Sequence, residues 1–170
     1  MRGLTGGQSR DDPDDLRDRP RISGYGIPSD REGMLSWDRV DGRLAGARNY
    51  WVSTTRPDGR PHATPVWGLW VDSAFYFGVG PDTRKARNLS RNPNVVVHLE
   101  SGDDVVIFEG KAEVVTDPDV DLVERLYAAS VAKYGMGSRD LEGSYAVRPR
   151  VVFAWSEGEP RTFTRWRFDR

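Results

Sequence analysis

From Tyr50 onward the chain is written as short runs of β-branched and aromatic residues, separated by turns too brief to hold a crossover helix. Residues 50–55 (YWVSTT) lead into Arg56-Pro57-Asp58-Gly59, with proline second and glycine fourth in a turn, and residues 62–71 run back. Two strands joined so closely form an antiparallel hairpin. Pro65, inside the second run, has no N–H to give, so it marks an edge, a bulge or a place where something other than a strand lies alongside. Asp72-Ser73 turns the chain into residues 74–79; runs at 95–99 and 105–115 flank Ser101-Gly102-Asp103, and two more follow at 145–155 and 161–168. Six or seven strands in consecutive hairpins predict a mainly β protein whose antiparallel sheet closes into a small barrel. A parallel doubly wound sheet is disfavoured by the same pattern.

Three helices interrupt the strands. Ser36 is placed to cap a helix to about Ala47, with Trp37, Val40 and Leu44 on one face. A short one is expected over Thr83–Asn92, ended by Pro93, and the longest over Asp119–Tyr134, with Val120, Val123, Leu126, Tyr127 and Val131 inward. Residues 1–33 carry Gly, Pro, Arg and Asp with little that is apolar, which predicts a disordered, charged N-terminal arm ahead of one domain over 34–170.

Composition removes several kinds of chemistry. With 25 basic against 26 acidic residues the net charge is -1, so bulk charge gives no support for a nucleic-acid partner. The absence of cysteine excludes disulfides, thiol nucleophiles and Cys-ligated zinc, and two histidines cannot build a three-histidine metal site. No apolar run approaches the roughly 20 residues of a membrane span and no signal-peptide core is present, so a soluble, cytoplasmic protein without a membrane partner is expected. No Ser-His-Asp spacing, Walker loop or carboxylate pair emerges, and Asp103-Asp104 and Asp117-Pro118-Asp119 read as a turn and a helix start. A chain so stripped of reactive side chains could still be an enzyme if it borrowed a reactive group and positioned it.

Two stretches suit such a group. In Gly78-Val79-Gly80-Pro81-Asp82-Thr83-Arg84-Lys85-Ala86-Arg87 a strand ends in a glycine-containing loop, and cations crowd the start of a helix. Cations are unfavourable there unless an anion is present, so Thr83, Arg84 and Lys85 invite a phosphate; a plain solvated basic helix is the competing reading. Thr64-Pro65-Val66-Trp67, with Phe77 and Gly78 on the next strand, offers an apolar wall for a planar ring, or else an ordinary sheet core. No general acid is nominated: His62 and Tyr76 are candidates by position, and a structural role weighs more for the histidine.

These residues, together with Thr83-Arg84-Lys85-Ala86-Arg87-Asn88-Leu89 and the ending Thr164-Arg165-Trp166-Arg167-Phe168, resemble the split β-barrel family of the pyridoxamine 5'-phosphate oxidase type, in particular its actinobacterial flavin/deazaflavin oxidoreductase branch. The resemblance spans about residues 35–168. It implies a six-stranded antiparallel split β-barrel that forms a homodimer with cofactor sites at the interface. Thr83, Arg84 and Lys85 would hold the cofactor phosphate, and Thr64, Pro65, Val66 and Trp67 would follow the ring beside Phe77 and Gly78. Arg165, Trp166 and Arg167 would approach from the partner subunit. The chain departs from the namesake enzyme in showing Trp67-Gly68 where a flavin-contacting lysine is expected, and in lacking the C-terminal Arg-Leu-x-Pro motif. Vitamin B6 oxidation is accordingly not expected.

The implied activity is hydride transfer between FMN or coenzyme F420 and a small planar or conjugated substrate. Arg87 and Arg91, one turn apart, with Arg56 and Arg60, could meet the anionic tail that F420 carries and FMN lacks. The alternatives are a non-catalytic carrier or sensor of flavin, F420 or haem on the same fold, and a structural partner protein using its surplus tryptophans at an interface.

Overall fold

The computed structural model describes residues 12–168. Nine antiparallel strands make one sheet: β1 (Arg17–Asp18), β2 (Asn49–Thr55), β3 (Pro61–Trp67), β4 (Leu69–Val71), β5 (Ala74–Gly78), β6 (Asn94–His98), β7 (Asp104–Val114), β8 (Ser144–Ser156) and β9 (Thr164–Arg167). The main path runs β1-β9-β8-β7-β6-β2-β3, while β5 pairs with both β4 and β8. Three helices accompany it: α1 (Trp37–Gly46), α2 (Arg84–Leu89) and α3 (Val120–Tyr134).

The antiparallel, mainly β architecture agrees with the sequence reading; the expected six-stranded closed barrel is corrected to nine strands in an open path. Two local events account for the added strands. The predicted run 62–71 breaks at Gly68, where a Cβ would stand 2.3 Å from the Phe75 ring and 2.9 Å from Tyr76 O, so the chain bends and passes from the ladder with β2 to the ladder with β5. The second is β1, recruited from the arm to pair Arg17 with Trp166 and Asp18 with Arg165.

Residues 12–33 make several hydrogen bonds to the rest of the chain; residues 1–11 of the expected arm lie outside the described residues. Arg19 donates to the carbonyls of Asp30, Glu32, Arg161 and Phe163. Asp14 Oδ1 accepts the Trp37 N–H at 2.7 Å, so the first turn of α1 is capped by the arm, whereas the side chain of Ser36 makes no cap.

The main core gathers Val40 and Leu44 of α1 with Tyr50, Val52, Phe75, Val97, Phe108, Val147, Val152 and Trp166. A smaller cluster on the far side of β4 and β5 holds Ala74, Tyr76, Leu126 and Ala146. There α3 presents Leu126, as expected, together with Leu122; of the other residues expected inward, Val120 is 76% exposed and Val131 also faces outward.

Candidate anion-binding site at the start of α2

Thr83 folds the loop after β5 into α2. Its hydroxyl accepts the Ala86 N–H at 3.1 Å and donates to Gly80 O at 2.8 Å, the reciprocal bonding expected of a helix-capping threonine. The six-residue helix that follows turns Lys85, Asn88 and Leu89 inward and leaves Arg84 and Arg87 outside. Lys85 is 9% exposed; burial pushes its pKa down, and its ammonium stands 5.7 Å over the ring of Phe77. Among the described residues no carboxylate pairs with Arg56, Arg84 or Lys85.

One turn along, Asn88 donates from Nδ2 to Thr54 Oγ1 at 2.9 Å, leaving its Oδ1 buried without a partner. The Thr54 hydroxyl donates to His62 O at 3.3 Å and lies 3.5 Å from His62 Nδ1. Thr64 Oγ1 and Arg56 Nε are likewise buried with no hydrogen bond among the described residues. The His62 imidazole is held below its ordinary pKa, first by burial and then by the positive charges of Arg56, Lys85 and Arg84. Buried polar groups are nearly always satisfied, and a buried charge without a counter-charge is destabilising by several kcal/mol. The orphaned donors of Arg56 and Thr64, a buried lysine and a repelled imidazole therefore describe a cradle complementary to an anion; Asn88 Oδ1, an acceptor, adds no donor to it. The oxygens of a phosphate fit this donor set, since they can accept from ammonium, guanidinium and hydroxyl groups together.

The ring-lining stretch is less uniform than the sequence suggested. Along β3 the side chains alternate, so Thr64 and Val66 turn inward with Tyr50 and Val52, while Pro65 and Trp67 turn outward. A planar ring would meet all four residues only along the free edge of β3. Trp67, 51% exposed, stacks on Tyr134 at 4.7 Å with the Arg48 guanidinium 5.5 Å from its ring. Phe77 is buried between Phe75 and Tyr145, and Gly78 ends β5 with open space where a Cβ would stand.

Of the three C-terminal residues, Arg165 and Trp166 are engaged elsewhere in the chain, while Arg167 shares a cleft with Thr54. Trp166 is 0% exposed and meets Trp37 edge-on at 5.6 Å, so its ring is a core element and cannot serve as a cofactor wall. Arg165 holds Asp18 through two bonds of 2.7 and 2.6 Å, which lower the Asp18 pKa. Arg167 lines a cleft of about 710 Å³ with Glu109 and Arg150, and Thr54 of the cradle lines the same cleft. Arg87 donates back to Asp82 O at 3.0 Å. Sequence reasoning missed Asn88 and Thr54 as members of the cradle; the signal available for Asn88 was its spacing of three from Lys85, which places both on one helix face.

The family model described as pyridoxamine 5'-phosphate oxidase matches residues 36–156. The chain belongs to the pyridoxamine 5'-phosphate oxidase family. The match takes in β2 through β8 and hence the whole cradle around α2. Among solved structures, the conserved hypothetical protein Rv2991 from Mycobacterium tuberculosis is similar at 26% identity and a TM-score of 0.60, over 76% of this chain and 90% of that one. General Stress Protein 26 from Bacillus anthracis shares the fold at 20% identity and a TM-score of 0.57, over 77% and 97% of the two chains. A heme binding protein from Mycobacterium smegmatis shares it at 20% identity and 0.53, over 70% of this chain and 54% of that one. No curated protein matches the sequence. No helix among the described residues is long and apolar enough to cross a membrane.

Proposed function

We propose that this member of the pyridoxamine 5'-phosphate oxidase family is an oxidoreductase that holds FMN or coenzyme F420 by its phosphate at α2 and acts on a small planar or conjugated substrate. The observation that carries the reading is the buried, carboxylate-free cluster of Lys85, Arg56 and Thr64. Lys85 and Arg84 would meet the phosphate, with Thr83 ordering the turn that presents them. Thr64 to Trp67 would border the ring along the edge of β3, and Gly78 would leave room beside it. When bound, the cofactor supplies hydride transfer; the chain's own residues bind it, orient it and keep water from its face. On this reading the active form is a homodimer. Support comes from the outer face of β3, where Ala63, Pro65 and Trp67 stand exposed together.

The cofactor-free protein is to be titrated with FMN and with F420 while absorbance and emission are followed. Saturable binding of one of them, weakened about ten- to hundredfold by Lys85→Ala, is the expected result. Binding of neither overturns the proposal. Binding by a reduced cofactor that no quinone or enone reoxidises replaces the enzyme with a carrier or sensor. Light scattering of a monomer at all concentrations would remove the dimer.

A further inference from the structure

Between α3 and the outer side of β4 and β5 lies a cavity of about 350 Å³. That volume falls within the range of small-molecule sites. Leu69, Tyr76, Leu126 and Leu141 form much of its wall, and all four belong to the second, smaller cluster, so the cavity is a place where the packing of that layer is left incomplete. On α3 the gap falls at Ser130, one turn from both Leu126 and Tyr134, where a larger apolar side chain would have closed it. Its rim holds Trp67 and Met136, the latter 62% exposed.

The charge around this cavity differs from that at α2. No lysine, arginine or histidine lines it, and Asp140 is its one carboxylate. An anionic ligand would find one like charge and no cation in the wall itself; Arg48 stands over the rings of Trp67 and Tyr134 and does not line the cavity. Phe77 lies at the boundary: it lines the cavity, while the Lys85 ammonium stands 5.7 Å over its ring. A phosphorylated molecule therefore has its place at α2, and an apolar uncharged one has its place under α3.

We propose that the cavity beneath α3 binds an uncharged, largely apolar small molecule at a site adjoining the anion cradle but separate from it. Phe77 and Gly78 join the two sites along β5, and Gly78 places no side chain between them. The assignment of this occupant as the molecule reduced rests on the oxidoreductase reading above; the binding site itself does not.

The test uses the full chain without cofactor and N-phenyl-1-naphthylamine, an uncharged apolar fluorophore. Saturable enhancement and blue shift of its emission are expected, with magnetisation transfer from the probe to the methyl groups of Leu69, Leu126 and Leu141. Ser130→Phe and, from the loop side, Leu141→Trp are expected to weaken the probe at least tenfold while leaving the FMN and F420 titrations unchanged. Lys85→Ala is expected to leave the probe unaffected. No saturable binding, or binding without transfer to those methyl groups, overturns the proposal even where a variant fails to fold. Probe binding that persists when neither cofactor binds would remove the oxidoreductase reading and leave this one standing.

Discussion

In a lysine that is 9% exposed and faces no carboxylate, burial disfavours the charged form and pushes the pKa down. In Lys85→Met that burden disappears, so the cofactor-free protein is expected to melt at a higher temperature while its affinity for phosphate falls. A variant that loses both together would mean that Lys85 serves packing and not an anion. His62 gives a second reading of the same cradle. Its folded pKa lies below the ordinary 6.5, so the unfolded chain takes up the proton first and stability declines as pH falls through that value. An anion placed among Arg56, Arg84 and Lys85 cancels the charge that depresses the imidazole and raises its pKa. Phosphate binding is thus expected to take up a proton and to strengthen as pH falls through His62's raised pKa toward its depressed value in the free protein. NMR titration of the His62 ring with and without inorganic phosphate measures this; an unmoved pKa would put the anion elsewhere.

At the scale of elements, Gly68 decides how one run of residues serves two ladders. Gly68→Ala would drive a methyl group into the Phe75 ring and the Tyr76 carbonyl, and denaturant unfolding is expected to show a loss of about 1–3 kcal/mol. Tyr134 reinforces the bend from α3, its hydroxyl lying 2.9 Å from both the N and the O of Gly68. What the sequence made legible at this scale was local. The Asp72-Ser73 turn, with φ of 52° and 56° as a two-residue hairpin demands, could be read from its neighbours, as could the Asp119 cap of α3. The Gly68 break could not, because the atom that forbids a side chain comes from Phe75 on another strand. The inward face of α3 was misassigned in part for a related reason: Val120 and Leu122 are comparable in hydropathy, and only the position of β4 decides between them. For the site, the motif at Thr83-Arg84-Lys85 was visible as a spacing of cations, whereas the orphaned atoms of Asn88 and Arg56 exist only once β2 and β3 lie beside α2.

Across the whole molecule, residues 12–33 act as a strap from one end of the sheet to the first helix. Four carbonyls from two segments converge on Arg19, so Arg19→Met is expected to release the strap and open residues 20–33 to proteolysis before the core of the sheet unfolds. Limited digestion followed by mass spectrometry checks the order; simultaneous loss of strap and core would show them to be one cooperative unit. The free edges of the sheet are also worth following outward. β1 has two residues and β4 three, and β3, the one long edge, contains Pro65. Proline is tolerated in an edge strand where its missing N–H points away from the neighbour, so the outward row of donors on β3 is broken near its middle. A further copy can therefore find no continuous template on which to lengthen this sheet, and fibril growth by strand addition is blocked at each end. Copies that meet must do so through faces, and contact between like faces closes on itself at two.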